Sequence, residues 1–359
     1  MKIVTVVGAR PQFIKAATVS RVIRDEYADA IKEVIIHTGQ HFDNNMSSVF
    51  FEDLDIPNPC YNLAVSGGYH GAMTGRMLER IESILIQEKP DWVLVYGDTN
   101  STLAGALAAS KLHVPIAHVE AGLRSFNMRM PEEVNRILVD RVSSLLFCPT
   151  NTAVEHLRTE NITHGVNNVG DVMHDAARFY GEKASKQSNI IASAGLIPGQ
   201  FALATCHRAE NTDDPNRLKS ILLALGKITA LLPVVLPLHP RTRQQVNSYG
   251  MDELLAPLKL LNPVPFLDMI ALEKASRVIL TDSGGVQKEA FFYGVPCITM
   301  RDETEWFETV ELGWNQIVGS SIEAIVSAVD TAIAAPSGNT DIQPFGMGEA
   351  ANRIVELLS

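Results

Sequence analysis

Asp98, Glu120 and Glu132 are the residues of this 359-residue chain whose types and spacing best suit proton transfer. Asp98 follows the apolar run 92–96 and Glu120 follows 116–119, while Glu132 lies in Met130-Pro131-Glu132-Glu133, a loop that opens a helical pattern. In a parallel α/β sheet the carboxyl ends of the strands line one crevice, so these carboxylates can converge there. Carboxylates tuned by their surroundings serve as acids or bases toward a weakly acidic C–H or a leaving oxygen. Each also suits a structural task. Asp98 could cap a helix, Glu120 could pair with Arg124, and Glu132 and Glu133 could sit in the positive first turn of a helix.

A second set of residues suits an anion. In RVILTDSGGVQKEAFFYG (277–294) a β-branched run breaks at Thr281-Asp282-Ser283-Gly284-Gly285 and resumes with helical spacing. The first N–H groups of such a helix have no partner within it and carry the positive end of its dipole. Gly284 and Gly285 let the backbone approach a phosphate closely, although Ser283 equally suits a plain N-cap. Glu289, farther along the same helix, is placed to accept from ribose hydroxyls. His207 and Arg208 end another strand-like run and offer the cationic half of a diphosphate clamp, with His239 and Arg241 as candidates for the same wall. Arg10 and Lys15 place two cations at the turn Gly8-Ala9-Arg10-Pro11, which lacks the G-x-G-x-x-G spacing of dinucleotide sites.

Positioning these groups calls for alternating strands and helices. Apolar, β-branched runs at 3–7, 34–39, 92–96, 116–119 and 145–148 predict buried strands, with helical spacing at 44–51 and 73–87. After the polar stretch 182–200 a second series begins, with strands predicted near 201–206, 234–238, 258–261, 278–280 and 297–300. Such spacing implies parallel βαβ crossovers. The expectation is an α/β protein of two Rossmann-like domains facing across a cleft, residues 1–180 and 181–345, with a helix in 346–359 packing on the first.

Composition narrows the partners. Lys plus Arg number 30 against 41 Asp plus Glu, a net charge of −11, which disfavours general nucleic-acid binding and leaves room for a small phosphorylated ligand. No apolar run approaches about 18 residues, so no membrane span is expected. Met1-Lys2 leads directly into IVTVV without a signal-peptide pattern, and the four cysteines are far apart with no CxxC pair or zinc spacing. These features predict a cytoplasmic protein without a metal site.

Taken together, GARPQFIK (8–15), TGQH (38–41), YGDTNST (96–102), HVEAGLR (118–124), MPEEVNR (130–136), CHRAEN (206–211) and LTDSGGVQKE (280–289) resemble the signature of the non-hydrolysing UDP-N-acetylglucosamine 2-epimerases. The resemblance spans almost the whole chain in order. It implies a glycosyltransferase-B-like fold, usually a homodimer, that inverts carbon 2 of a UDP-N-acetylhexosamine without metal or nicotinamide, converting UDP-N-acetylglucosamine to UDP-N-acetylmannosamine. By the same resemblance, UDP is eliminated to give a 2-acetamidoglucal and added back after reprotonation on the opposite face. The family's essential carboxylates fall on Asp98, Glu120 and Glu132, its active-site histidine on His207, and its first-domain cations on Lys15 and Arg10. Its diphosphate and ribose contacts fall on Ser283, Gly284, Gly285 and Glu289, with Arg208 beside them.

Some stretches depart from the best-known bacterial pattern. The loop SFNMRMPEE is short and carries Arg129; Phe42-Asp43-Asn44-Asn45 and the loop VSGGYHG (65–71) differ where the family builds a regulatory second UDP-sugar site. GARPQFIK, TGQHFDNNMS, RSFNMRMPEE and HPRTR resemble the branch acting on UDP-2,3-diacetamido-2,3-dideoxyglucuronic acid, used for surface polysaccharides such as O-antigen. A uronate calls for an extra cation, and Arg129, Arg241 or Arg243 could supply it.

Overall fold

The protein, a computed structural model, is described over residues 1–40, 55–334, 338 and 342–359. The helix expected at 44–51 and the motif residues His41 to Asn45 lie outside the described residues. Two compact units emerge: Met1–Ala176 with Gln343–Ser359, and Ala177–Ile342.

In the first unit, seven parallel strands form one sheet: β1 (Lys2–Val7), β2 (Lys32–His37), β3 (Tyr61–Asn62), β4 (Trp92–Tyr96), β5 (Ile116–Val119), β6 (Leu145–Cys148) and β7 (Val166–Asn168). Their spatial order is β3-β2-β1-β4-β5-β6-β7. Ile3, Val4, Val6, Val93, Leu94, Val95 and Ala117 are fully buried, because helices cover both faces of a parallel sheet and its central strands are mostly apolar on both sides. Each large aliphatic side chain so buried contributes about 1.5–3 kcal/mol. The helices of this unit that matter here are α1 (Arg10–Glu26), α2 (His70–Glu88), α3 (Asn100–Lys111), α4 (Pro131–Val142) and α5 (Asn151–Thr159). The order reverses between β1 and β4, so the connections leaving these neighbours run in opposite directions and open a crevice at their carboxyl ends.

The second unit repeats the plan with β8 (Ala202–Thr205), β9 (Val234–Pro237), β10 (Lys259–Leu261), β11 (Val278–Thr281), β12 (Cys297–Thr299) and β13 (Asn315–Ile317), in the order β10-β9-β8-β11-β12-β13. Here the reversal falls between β8 and β11. Helix α6 (Val172–Gln187) leads into this unit, and α7 (Pro240–Ser248), α8 (Phe266–Ala275) and α9 (Gly284–Phe292) follow β9, β10 and β11. The terminal helix α10 (Ala350–Leu358) belongs to the first unit, where it packs against α1. No helix among the described residues is long and apolar enough to cross a membrane.

Strands β3, β7 and β13 have no counterpart in the sequence-based expectation. Each is two or three residues long at or near a sheet edge, too short for alternation or an apolar run to register.

Candidate active site

At the β1/β4 reversal the backbone is drawn tight. Gln12 Oε1 accepts the N–H groups of Gly8 at 2.8 Å and Ala9 at 3.0 Å, while its Nε2 donates to Tyr96 O at 2.7 Å and Thr102 Oγ1 at 2.9 Å. One glutamine thereby stitches the turn after β1 to the end of β4. A Cβ on Gly8 would collide with the Ser101 and Thr38 hydroxyls, themselves 2.7 Å apart, so only glycine fits. Gln40 of the TGQH motif holds Ser101 through its N–H and hydroxyl at 3.0 and 2.7 Å.

Lys15 rises from the second turn of α1 and forms an ion pair with Glu120, their side chains 14 % and 7 % exposed. Glu120 does not pair with Arg124, as one reading of the sequence allowed. Arg124 instead binds Asp140 at 2.7 Å and Glu160 through two bonds of 2.7 and 2.9 Å. Glu120 adopts a left-handed backbone with φ of +72°, which costs a non-glycine residue about 1–2 kcal/mol and directs its side chain back toward α1. Gly97 lies beneath the pair: a Cβ there would sit 3.3 Å from Glu120 Oε2 and 3.7 Å from Lys15 Nζ.

Asp98 is next in the chain. It does not cap α3; Thr99 does, accepting from the Thr102 N–H at 3.3 Å. The Asp98 carboxylate takes two bonds from Arg136 on α4, at 2.9 Å from Nε and 2.6 Å from Nη2, and Asn135 Nδ2 donates to its carbonyl at 2.8 Å. Arg136 also reaches Glu133 Oε2 at 2.9 Å. Glu133 is buried and accepts the Ser125 and Phe126 N–H groups at 2.9 and 2.8 Å, so it anchors the 125–130 loop. Burial pushes the Glu133 carboxyl up, but these amides and Arg136 prevail and hold it below the usual carboxylate range. Glu132, its neighbour, is exposed at the start of α4 and has no hydrogen-bond or ion-pair partner among the described residues. Arg10 is the half-buried first residue of α1.

In the second unit, Asp282 organises the β8/β11 reversal. Fully buried after β11, its carboxylate accepts the N–H groups of His207 at 3.0 Å and Arg208 at 3.0 Å, and Asn211 Nδ2 at 3.2 Å. Those bonds fix the turn after β8 beside the start of α9. His207 Nδ1 lies 3.5 Å from Asp282 Oδ1, and its ring stacks obliquely on His239 with centroids 5.3 Å apart. Burial lowers the His207 imidazole, outweighing the opposing pull of Asp282, with His239 and Arg208 adding to the decrease. Arg208 is exposed and its guanidinium makes no ion pair among the described residues.

Ser283 occupies the N-cap position of α9, yet its side chain makes no capping bond; Thr281 Oγ1 accepts the Ser283 N–H at 2.9 Å. Gly284 is buried and Gly285 exposed in the first turn, and Glu289 is half-buried farther along. Of the other candidate cations, Arg241 is bound to both Asp213 oxygens at 2.6 Å, whereas Arg129 and Arg243 are exposed without ion pairs among the described residues.

The two reversals therefore gather different sets of groups. Acid–base groups and lysine collect in the first unit; a helix N-terminus, histidine and arginine collect in the second. Gln12, Glu133, Arg136 and Asp282 are not identifiable from the sequence as partners of these groups. Glu133 and Arg136 sit inside the motif MPEEVNR, but nothing in linear order says which of two adjacent glutamates turns inward.

Comparison with known proteins bears on this arrangement. The family model described as UDP-N-acetylglucosamine 2-epimerase matches residues 25–359. The chain is similar to the UDP-2,3-diacetamido-2,3-dideoxy-D-glucuronate 2-epimerase of Pseudomonas aeruginosa, with 55 % identity covering 100 % of this chain and 99 % of that protein. It is 43 % identical to the Methanocaldococcus jannaschii UDP-GlcNAc 2-epimerase, solved in complex with UDP-GlcNAc and UDP, with a TM-score of 0.88 over 100 % of this chain and 99 % of that one. The Neisseria meningitidis UDP-GlcNAc 2-epimerase bound to UDP-GlcNAc gives 30 % identity and a TM-score of 0.87 over 100 % and 99 % of the two chains.

Proposed function

This chain belongs to the UDP-N-acetylglucosamine 2-epimerase family, and from that premise we propose that it inverts carbon 2 of UDP-2,3-diacetamido-2,3-dideoxyglucuronic acid. The enzyme is an isomerase acting on a UDP-sugar. Carbon 2 of such a substrate has no neighbouring carbonyl, so its proton is too weakly acidic for simple removal and return. Elimination solves this. A base takes the carbon 2 proton, the C–H electrons form the carbon 1–carbon 2 double bond, and the carbon 1–oxygen bond breaks with its electrons leaving on the UDP β-phosphate. Protonation from the other face and re-addition of UDP oxygen to carbon 1 then complete the inversion.

The observation that carries the chemistry is the Lys15–Glu120 ion pair beside Asp98 at the β1/β4 reversal. We assign proton transfer to Glu120, Asp98 and Glu132, with Lys15 orienting Glu120 through their ion pair. UDP is assigned to His207, Arg208, Ser283 and the first N–H groups of α9, with Glu289 on the ribose and Arg10 as a further cation. Preorganised donors of this kind stabilise charge on the departing diphosphate.

Two observations support the uronate as substrate: the 55 % identity to an enzyme named for it, and the exposed Arg129, which makes no ion pair among the described residues, in the loop that Glu133 anchors. UDP-N-acetylglucosamine is the second reading, favoured by the M. jannaschii relative. Buried thiols at Cys148, Cys206 and Cys297 suit a reducing compartment and support a cytoplasmic location; on the family resemblance alone we extend the proposal to a homodimer supplying precursors of surface polysaccharides such as O-antigen.

Proton NMR of both UDP-sugars with purified enzyme in heavy water tests this. Turnover of the uronate with one deuterium gained at carbon 2 is the expected result. Turnover of UDP-N-acetylglucosamine alone would establish the second reading, and epimerisation without solvent deuterium would eliminate the proposed route.

A further inference from the structure

Beneath the acid–base groups lies a carboxylate that this chemistry does not use. Asp140, on α4, is fully buried and touches three groups: His118 Nδ1 at 2.7 Å through Oδ1, and through Oδ2 the Arg124 guanidinium at 2.7 Å and the Gly122 N–H at 3.2 Å. His118, also fully buried, reaches onward from β5 to Gly97 O at 2.8 Å, so both of its ring nitrogens face acceptors. Gly97 precedes Asp98, and Gly122 follows Glu120 by two residues. One carboxylate is thus tied to both turns that carry acid–base groups while touching neither group.

The turn at Glu120 needs such an anchor. Glu120 and Gly122 both have positive φ, +72° and +79°. The N–H groups of Glu120 and Ala121 converge on one carbonyl, Phe147 O, each at 3.1 Å, which holds the entry to the turn but not its exit at Gly122. At Gly122 the N–H is held by Asp140 and the carbonyl lies 3.0 Å from His156 Nδ1, so Asp140 is the side-chain acceptor on the face toward Glu120.

Resting on the epimerase reading, we infer that Asp140, through Gly122 and through His118, is a positioning residue that holds Glu120 in its left-handed conformation and aims its carboxylate at Lys15. Arg124 keeps a second, two-bond anchor on Glu160 at 2.7 and 2.9 Å, which separates this role from loop stability in general.

Asp140→Asn and Glu160→Gln test the inference together. The first substitution keeps one acceptor and turns an amide donor toward His118 or toward Arg124 and Gly122; the second weakens the other Arg124 anchor and leaves both turns alone. For Asp140→Asn the expectation is a kcat lower by about 10²-fold with KM changed less than about threefold, as for a misaimed group. The primary deuterium isotope effect at carbon 2 should rise, and a crystal structure should show residue 120 outside the left-handed region. Glu160→Gln should leave kcat and the isotope effect as they were. Should Asp140→Asn not fold, His118→Asn, which keeps the bond to Asp140 and drops the one to Gly97, is read the same way. An unchanged isotope effect together with residue 120 still near its φ of +72° overturns the inference. Absence of any epimerase activity in the unmodified enzyme overturns the functional reading instead, and the crystal structure still decides whether Asp140 positions Glu120.

Discussion

Lys15 and Glu120, 105 positions apart in the chain, form a largely buried ion pair because β1 and β4 are neighbours and β5 lies next to β4. An ion pair shielded from water keeps both partners charged and oriented, whereas an exposed pair does little of either. Glu120→Gln should therefore lower kcat by at least about 10²-fold while UDP affinity is retained. Lys15→Met should lower kcat comparably by removing the cation that orients the Glu120 carboxylate. NMR turnover and calorimetric titration with UDP check both; wild-type kcat in Glu120→Gln would remove Glu120 from the acid–base set.

Arg136 bridges Asp98 and Glu133 with bonds of 2.6 to 2.9 Å. Arg136→Met removes the cation shared by one buried and one partly buried carboxylate, leaving Glu133 its two amide donors, a loss on the order of 3 kcal/mol that should cost both stability and turnover. Arg136→Lys keeps the charge without the fork and should fall between. Urea midpoints measured beside kcat distinguish the two effects. Equal stability in all three proteins would show that the bridge has no structural weight.

UDP affinity should depend on pH through His207. Burial lowers its imidazole in the free enzyme, so the ring is neutral at pH 7 and carries its N–H without charge. A bound diphosphate raises the same ring, and binding then takes up a proton between the free and bound values. Affinity should increase as pH falls through the bound value and level off below the lowered free value. Titrations in buffers of different ionisation enthalpy report the proton uptake, and His207→Asn should flatten the profile beyond the titration of UDP itself.

Asp175 accepts the N–H groups of Ala350 and Ala351 at 3.1 and 2.9 Å, holding the start of α10. Burial pushes its carboxyl up to about 6, against the partial relief of those amides. Because the folded value lies above the unfolded one, this contribution to stability is fully present below about pH 4 and is lost as pH rises through about 6. The difference in melting temperature, wild type minus Asp175→Asn, should fall across that window, by the equivalent of roughly 2 kcal/mol. A difference independent of pH would show that Asp175 does not titrate there.

Arg129→Ala should raise KM for the diacetamido uronate about 2- to 5-fold, the value of one solvent-exposed charge pair, and leave UDP-N-acetylglucosamine unaffected. Arg241→Ala should change neither, because Asp213 already occupies that guanidinium. Undiminished activity on the uronate after Arg129→Ala would reassign carboxylate recognition.

The main strands were legible because a central parallel strand, buried on both faces, is a nearly continuous apolar run. The central runs at β1, β4, β5, β6 and β11 stand out for that reason, and the positions after them are where chemistry collects. Edge strands such as Tyr61–Asn62 were not legible, since a two-residue strand exists through its partner and not through its own pattern.

By itself the sequence determined the α/β alternation, the ordered motifs, and which residues end strands, all of which are local properties of backbone period and composition. Tertiary structure alone decided the pairings: Glu120 with Lys15 and not Arg124, Asp98 with Arg136, Glu133 inward and Glu132 outward, Asp282 as the hub of the His207 turn. The reason is physical. A charged side chain takes whichever partner the sheet order brings within about 3 Å and shields from water, and that order is set by the packing of strands far apart in the chain.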